Sequence, residues 1–115
     1  MKKEMCIFCE IISGNVEAEK DYDGKNFIVM KDANPQTTGH SLVIPKKHCK
    51  DFLCLDKKFY AEFLETVKFI TPRILEQVGA TDFNLLVNDG KHAGQAVNHL
   101  HMHIIPRFEG DGFKF

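Results

Sequence analysis

The chain has 115 residues, 43% of them apolar and 27% charged, with a formal net charge of −1. That length suits one core and is too short for two, so residues 1–115 read as a single domain of ordinary soluble composition. The near-zero charge speaks against broad attraction to nucleic acid or an anionic membrane, and no run reaches the ~20 apolar residues of a membrane span.

The opening Met1-Lys2-Lys3-Glu4 has charge but no apolar stretch behind it, because Glu10 and Ser13-Gly14-Asn15 interrupt. The expectation is an unsecreted, cytoplasmic protein. Its four cysteines would then sit in a reducing compartment, as metal ligands or buried thiols. Within residues 6–13, Ile7, Phe8, Ile11 and Ile12 recur at helical spacing and Gly14-Asn15 ends the pattern, which predicts a short helix. Phe27-Ile28-Val29-Met30 and Leu42-Val43-Ile44 are β-rich runs bounded by turn formers, and read as two adjacent strands. The apolar spacing over 57–78 predicts a long helix capped by Asp56 and closed by Gly79, with Pro72 as a kink or weak turn. A strand at 83–87 and a final strand at 97–106 follow. Elements so segregated predict an α+β domain: an antiparallel sheet of about five strands, with one long and one short N-terminal helix on one face.

The final strand carries His99-Leu100-His101-Met102-His103. Strand alternation would set the three histidines on one face, ~7 Å apart, and Leu100, Met102 and Ile104 on the other, beneath the long helix. Three imidazoles on an otherwise apolar strand are poorly explained by packing. They suit a metal site, or a nucleophile with supporting donors around a phosphorus centre, since neutral imidazole is nucleophilic near pH 7. The loop Asn88-Asp89-Gly90-Lys91-His92-Ala93-Gly94-Gln95 favours the second use, because Gly90 and Gly94 permit backbone angles that aim N–H groups at an anion.

Gly94-Gln95-Ala96-Val97-Asn98-His99-Leu100-His101-Met102-His103-Ile104-Ile105 resembles the signature of the histidine-triad nucleotide-binding family. Asp32-Ala33-Asn34-Pro35-Gln36 and Gly39-His40-Ser41-Leu42-Val43-Ile44-Pro45-Lys46-Lys47-His48 match the same family in order. The tail Ile105-Pro106-Arg107-Phe108-Glu109-Gly110-Asp111-Gly112 is similar to its bacterial members. The resemblance implies that His101 attacks the α-phosphorus of a nucleotide derivative, and that water then releases the nucleoside monophosphate. By the same resemblance His103, Asn88 and the backbone at Gly94 and Gln95 hold the α-phosphate oxygens, and His40 is a supporting donor. Asp32 matches the acidic residue that accepts from the ribose hydroxyls, although an Asp before Asn34-Pro35 also reads as a turn former. Phe8, Ile11, Val16 and Met30 resemble the pocket for a base, taken to be a purine. Ala96 departs from the pattern, since many relatives carry Ser or Thr there, and the lost hydroxyl predicts slower cleavage or a different leaving-group preference. His103 stands where the transferase branch has Gln, which favours hydrolysis.

Cys6-Ile7-Phe8-Cys9 is a Cys-x-x-Cys pair, which needs further ligands to complete a tetrahedral site. His48, Cys49, Cys54 and the histidine strand are all candidates. The resemblance is to a zinc-binding subset of the family, in which the partners are His48 and His99 and the zinc is structural. It also implies a homodimer, for which the long helix and the 83–88 strand offer more apolar surface than so short a chain covers alone. The expected partner is thus a small-molecule nucleotide. Two other functions fit parts of the pattern: a zinc metallohydrolase with His99, His101 and His103 as ligands, and a nucleotide-binding module with negligible turnover.

Overall fold

The computed structural model describes residues 6–114, and the charged start at residues 1–4 lies outside them. In chain order the elements are α1 (Ile7–Ser13), β1 (Lys20–Asp23), β2 (Phe27–Lys31), β3 (Ser41–Pro45), α2 (Tyr60–Val78), β4 (Asp82–Leu86) and β5 (Met102–Arg107). The five strands form one antiparallel sheet in the order β1-β2-β3-β5-β4.

Helices cover both faces of this sheet, not one. Phe27, Val29, Val43 and Ile104 pack against Phe63, Val67, Ile70 and Ile74 of α2. Ile28, Leu42 and Ile44, which alternate with them, pack against Phe8 and Ile11 of α1. The physical reason is visible in the strands themselves. Phe27-Ile28-Val29 and Leu42-Val43-Ile44 have no polar face, so both sides of the central strands must be covered. The prediction that Leu100, Met102 and Ile104 lie beneath α2 agrees with the structure.

Pro72 leaves α2 unbroken from Tyr60 to Val78. It sits on the exposed side of the helix together with Lys68, whose carbonyl loses its i+4 donor. Asp56 caps a 3₁₀ turn (Lys57–Phe59) that precedes α2, accepting from Lys58 N–H at 3.0 Å, and Gly79 closes α2 at φ 73°. β1 escaped the sequence reading because Lys-Asp-Tyr-Asp offers a single apolar residue, as edge strands often do.

The final strand is shorter than the 97–106 expected. Its pairing with β3 ends at Val43–Met102, so His99 and His101 precede the ladder and His103 alone of the three lies in it. The Pro45 carbonyl accepts a hydrogen bond from the His99 imidazole at 2.8 Å, and the Leu100 N–H is drawn away to Cys49 O, also at 2.8 Å.

Candidate active site

On the α1 face, Met30, Leu42, His103 and Leu86 form one cross-strand row over β2, β3, β5 and β4. Above it opens a cavity of about 480 Å³, within the size range of small-ligand sites. Phe8, Ile11, Met30 and Leu42 give it an apolar side, while Asp32, His40, Asn88, His101 and His103 supply the polar groups. α1 is set there by its ends: the Cys6 sulfur accepts from Cys9 N–H at the start, and Gly14 at φ 87° terminates it.

His101 is buried, with Nδ1 2.7 Å from the carbonyl of His99. A carbonyl can only accept, so Nδ1 carries the proton and Nε2 keeps its lone pair. Phe8 meets the ring edge-on, with centroids 5.2 Å apart, and the His103 ring stands 5.0 Å away. The tautomer and orientation of His101 are thus fixed by backbone and packing.

His103 and His40 form a second ordered pair. Gln36 N–H donates to His40 Nδ1 at 3.0 Å, so neutral His40 carries its proton on Nε2, which lies 2.8 Å from His103 Nδ1. His103 then presents Nε2–H as a donor. Asp32 Oδ2 lies 3.3 Å from His40 Nε2 and 3.7 Å from His103 Nδ1, while its Oδ1 accepts from Asn34 N–H at 2.9 Å. Asp32 is both the turn former and a wall of the cavity. These three residues have the spacing of a metal site as well. With Nδ1 of His40 already accepting from Gln36, however, the His40 Nε2 is protonated and poorly suited to bind a cation.

Burial pulls the pKa of His103 down to about 4, with His101 and His40 adding to the effect, and burial lowers His40 too. The unfolded chain takes up this proton near pH 6.5, whereas the native state resists until about pH 4. The stability contribution is therefore full above pH 6.5 and is lost as pH falls toward 4. Urea unfolding is expected to show a loss of about 1–2 kcal/mol from this group between pH 7 and 4.5, discounted for its partial exposure. His103→Gln should flatten that part of the profile, and an unchanged profile would refute the assignment.

On the far side of His99, four ligand atoms converge. Cys6 Sγ and His48 Nδ1 lie 3.3 and 3.1 Å from His99 Nδ1, and Cys9 Sγ lies 3.3 Å from His48 Nδ1 and 3.6 Å from His99 Nδ1. A tetrahedral zinc with sulfur at ~2.3 Å and nitrogen at ~2.0–2.1 Å has edges of about 3.3–3.8 Å, which fits this spacing. The donor chemistry agrees. His99 Nε2 is committed to the Pro45 carbonyl, leaving Nδ1 unprotonated toward the cluster, and burial lowers its pKa so that the neutral, ligating form prevails. Cys49 packs instead against the α2 core, where burial raises its thiol pKa, and exposed Cys54 is also outside the cluster.

A family model described as "HIT domain" matches residues 13–110. The chain belongs to the HIT family. It is 44% identical to an uncharacterized HIT-like protein of Methanocaldococcus jannaschii, over 94% of this chain and 83% of that one. An adenosine 5′-monophosphoramidase of Schizosaccharomyces pombe is 36% identical over 89% of this chain and 74% of its own length. Among solved structures, a Zn-bound histidine triad family protein from Mycobacterium smegmatis superposes with a TM-score of 0.87 at 38% identity, covering 96% of this chain and 80% of that one.

In this HIT domain the loop before the histidines is arranged differently from the sequence expectation. The Gly90 N–H is taken by Gln95 Oε1 (2.7 Å), Gly94 N–H by Lys91 O and Gln95 N–H by Gly90 O (both 3.1 Å). Gln95 Nε2 donates to Lys50 O and Val97 O, so this side chain stiffens the loop and does not line the cavity. The N–H groups of Gly90, Gly94 and Gln95 are thus spent on the turn, although Gly94 itself lines the cavity. Ala96 does line the cavity, and its N–H donates to no acceptor among the described residues. Val16 lies outside the main cavity, against a neighbouring depression shared with Ile11, because the chain turns away after Gly14. The sequence reading missed Leu86, Ile105 and Phe113, all of which wall the cavity. Leu86 and Ile105 belong to apolar strands and Phe113 to an irregular tail, and none carries a local signal of a ligand site.

Proposed function

We propose that this HIT-family chain hydrolyses nucleotidyl compounds, nucleoside phosphoramidates or dinucleoside polyphosphates, at the α-phosphorus through a nucleotidyl intermediate on His101. The observation that carries this reading is the hydrogen bond from His101 Nδ1 to the His99 carbonyl, which leaves Nε2 as a nucleophile beside the donor His103. Nε2 attacks phosphorus as the bond to the leaving group breaks. Water then attacks the same phosphorus, and the P–N bond to His101 breaks to give the nucleoside monophosphate. His103 Nε2–H, Asn88 and the Ala96 N–H are suited to hold the phosphate oxygens, where negative charge builds. Asp32 takes the ribose hydroxyls, and a purine lies against Phe8, Ile11 and Met30.

Zinc is the metal the cluster suits. Cys6, Cys9, His48 and His99 would hold it, and when bound it supplies a structural crosslink with no open position for water. A metallohydrolase reading fits the geometry poorly, since His99 serves the cysteine cluster, His101 a carbonyl and His103 a second histidine. The mass of protein quenched during turnover tests the proposal: one nucleoside monophosphate added at His101 supports it. A pure binding module would give no such adduct and no burst of product.

A two-fold homodimer, in an unsecreted cytoplasmic protein, belongs to the same reading. β4 is an edge strand whose Phe83 and Leu85 remain 42% and 45% exposed, and α2 leaves Tyr60 and Leu64 in the open at 53% and 62%. Sedimentation at micromolar concentration is expected to give twice the chain mass, and a monomer would refute it.

A further inference from the structure

The loop 87–101 between β4 and β5 brings Asn88, Gly94, Ala96 and His101 to the cavity, and one side chain within it reaches elsewhere. Gln95 stands between Gly94 and Ala96, yet its amide serves the main chain on three sides. Oε1 accepts from Gly90 N–H at 2.7 Å, while Nε2 donates to Lys50 O at 2.7 Å and to Val97 O at 3.0 Å. The acceptor and both N–H groups of the amide are thus engaged, a set that neither a carboxylate nor a hydrocarbon of the same length can supply. Gln95 also closes the turn through its own N–H, which donates to Gly90 O at 3.1 Å. Lys50 belongs to the loop after β3, and two more hydrogen bonds tie these loops together. Phe52 N–H donates to Asp89 Oδ1 at 3.2 Å, and Leu100 N–H to Cys49 O at 2.8 Å. Those two secure the loop toward its ends, and Gln95 secures its middle.

What this restraint governs is the peptide unit between Gln95 and Ala96. Gly90 holds it from one side, through the Gln95 main chain, and Val97 from the other, through the Gln95 side chain. Its N–H, that of Ala96, donates to no acceptor among the described residues, and Ala96 lines the cavity beside His101. A donor stabilises charge developing on a phosphate only where its direction is set beforehand, since reorienting it during the reaction forfeits the gain. We infer that Gln95 is a positioning residue: without touching substrate, its side chain sets the Ala96 N–H against a phosphate held at His101. This rests on the reading of the cavity as a site for a nucleoside phosphate.

Two variants test it. Gln95→Glu keeps the length and the acceptor but turns a carboxylate toward two carbonyls, and Gln95→Met keeps the length with no hydrogen-bonding amide. Both are expected to lower kcat for an adenosine phosphoramidate about 10- to 100-fold, with a much smaller rise in KM. The loss should be the same for a small and a bulky leaving amine, whereas a loss confined to one would mean direct contact and overturn the inference. Calorimetric titration is expected to show AMP bound about 5-fold more weakly and adenosine changed less than about 2-fold. Equal weakening of adenosine and AMP would mean that the side chain merely supports the fold, and a loss in Gln95→Glu alone would reduce the effect to charge repulsion. Either result overturns the inference. If both variants turn over and bind AMP as the wild type does, the positioning role fails while hydrolysis stands. If the wild type does not turn over but both variants still lose AMP selectively, the hydrolytic reading fails and the positioning role stands.

Discussion

His101→Ala is expected to abolish turnover, by at least about 10³-fold, while nucleoside monophosphate affinity changes only a few-fold. The asymmetry follows from how the cavity divides its work. The groups suited to hold ribose, base and phosphate oxygens are Asp32 on the turn after β2, Phe8 and Ile11 on α1, Met30 on β2, and Asn88 and His103. Phe8 and His103 touch the His101 ring, but each is also held elsewhere, Phe8 by the α1-face core and the His99 ring, and His103 by the β5 ladder and His40. The His101 ring's own anchor is the His99 carbonyl, a backbone group that survives the substitution. What the alanine removes is the lone pair at Nε2, and water lacks the fixed geometry to replace it. Single-turnover kinetics and calorimetry on the variant would measure the two effects separately. Turnover near the wild-type rate would exclude His101 as nucleophile, and a loss of binding equal to the loss of rate would mean that the ring chiefly shapes the cavity.

What could be seen in the sequence, and what could not, follows from the range of each signal. Local periodicity shows α1, α2 and the central strands plainly, because Phe63, Val67, Ile70 and Ile74 or Leu42-Val43-Ile44 each report on a face within a few residues. The same signal cannot say that α1 lies opposite α2, since that depends on how two distant runs pack. Strand alternation accounts for Leu100 and Ile104 in the core, but not for the end of the ladder at Met102, which is set by His99 reaching the Pro45 carbonyl. The Gly-rich loop has a phosphate-binding composition, yet Gln95 satisfies Gly90 and holds the turn closed. The tail was the least legible. Nothing local in Arg-Phe-Glu-Gly-Asp-Gly-Phe indicates that a single carboxylate folds Phe113 back to the cavity.

Cys9→Ser should lower thermal stability far more than it lowers the rate of the folded protein, with a loss of more than about 3 kcal/mol and a Tm lower by roughly 10 °C or more. The four ligand atoms come from the start of α1, the loop after β3 and the approach to β5, three segments far apart in the sequence. A metal bound there in the native state alone ties them together, so its binding free energy becomes folding free energy. His101 senses the cluster only indirectly. His99 gives its side chain to the cluster and its carbonyl to His101, and Phe8, between the two cysteines, touches the rings of both histidines edge-on. Metal analysis is expected to find about one zinc per chain. Chelator should then act slowly, in step with loss of tertiary structure by near-ultraviolet circular dichroism. Immediate loss of turnover with the fold intact would make the metal catalytic and revive the metallohydrolase reading. A metal-free protein of unchanged stability would reduce Cys6 and Cys9 to packing residues, while leaving the tautomer of His101, and the chemistry it permits, as it stands.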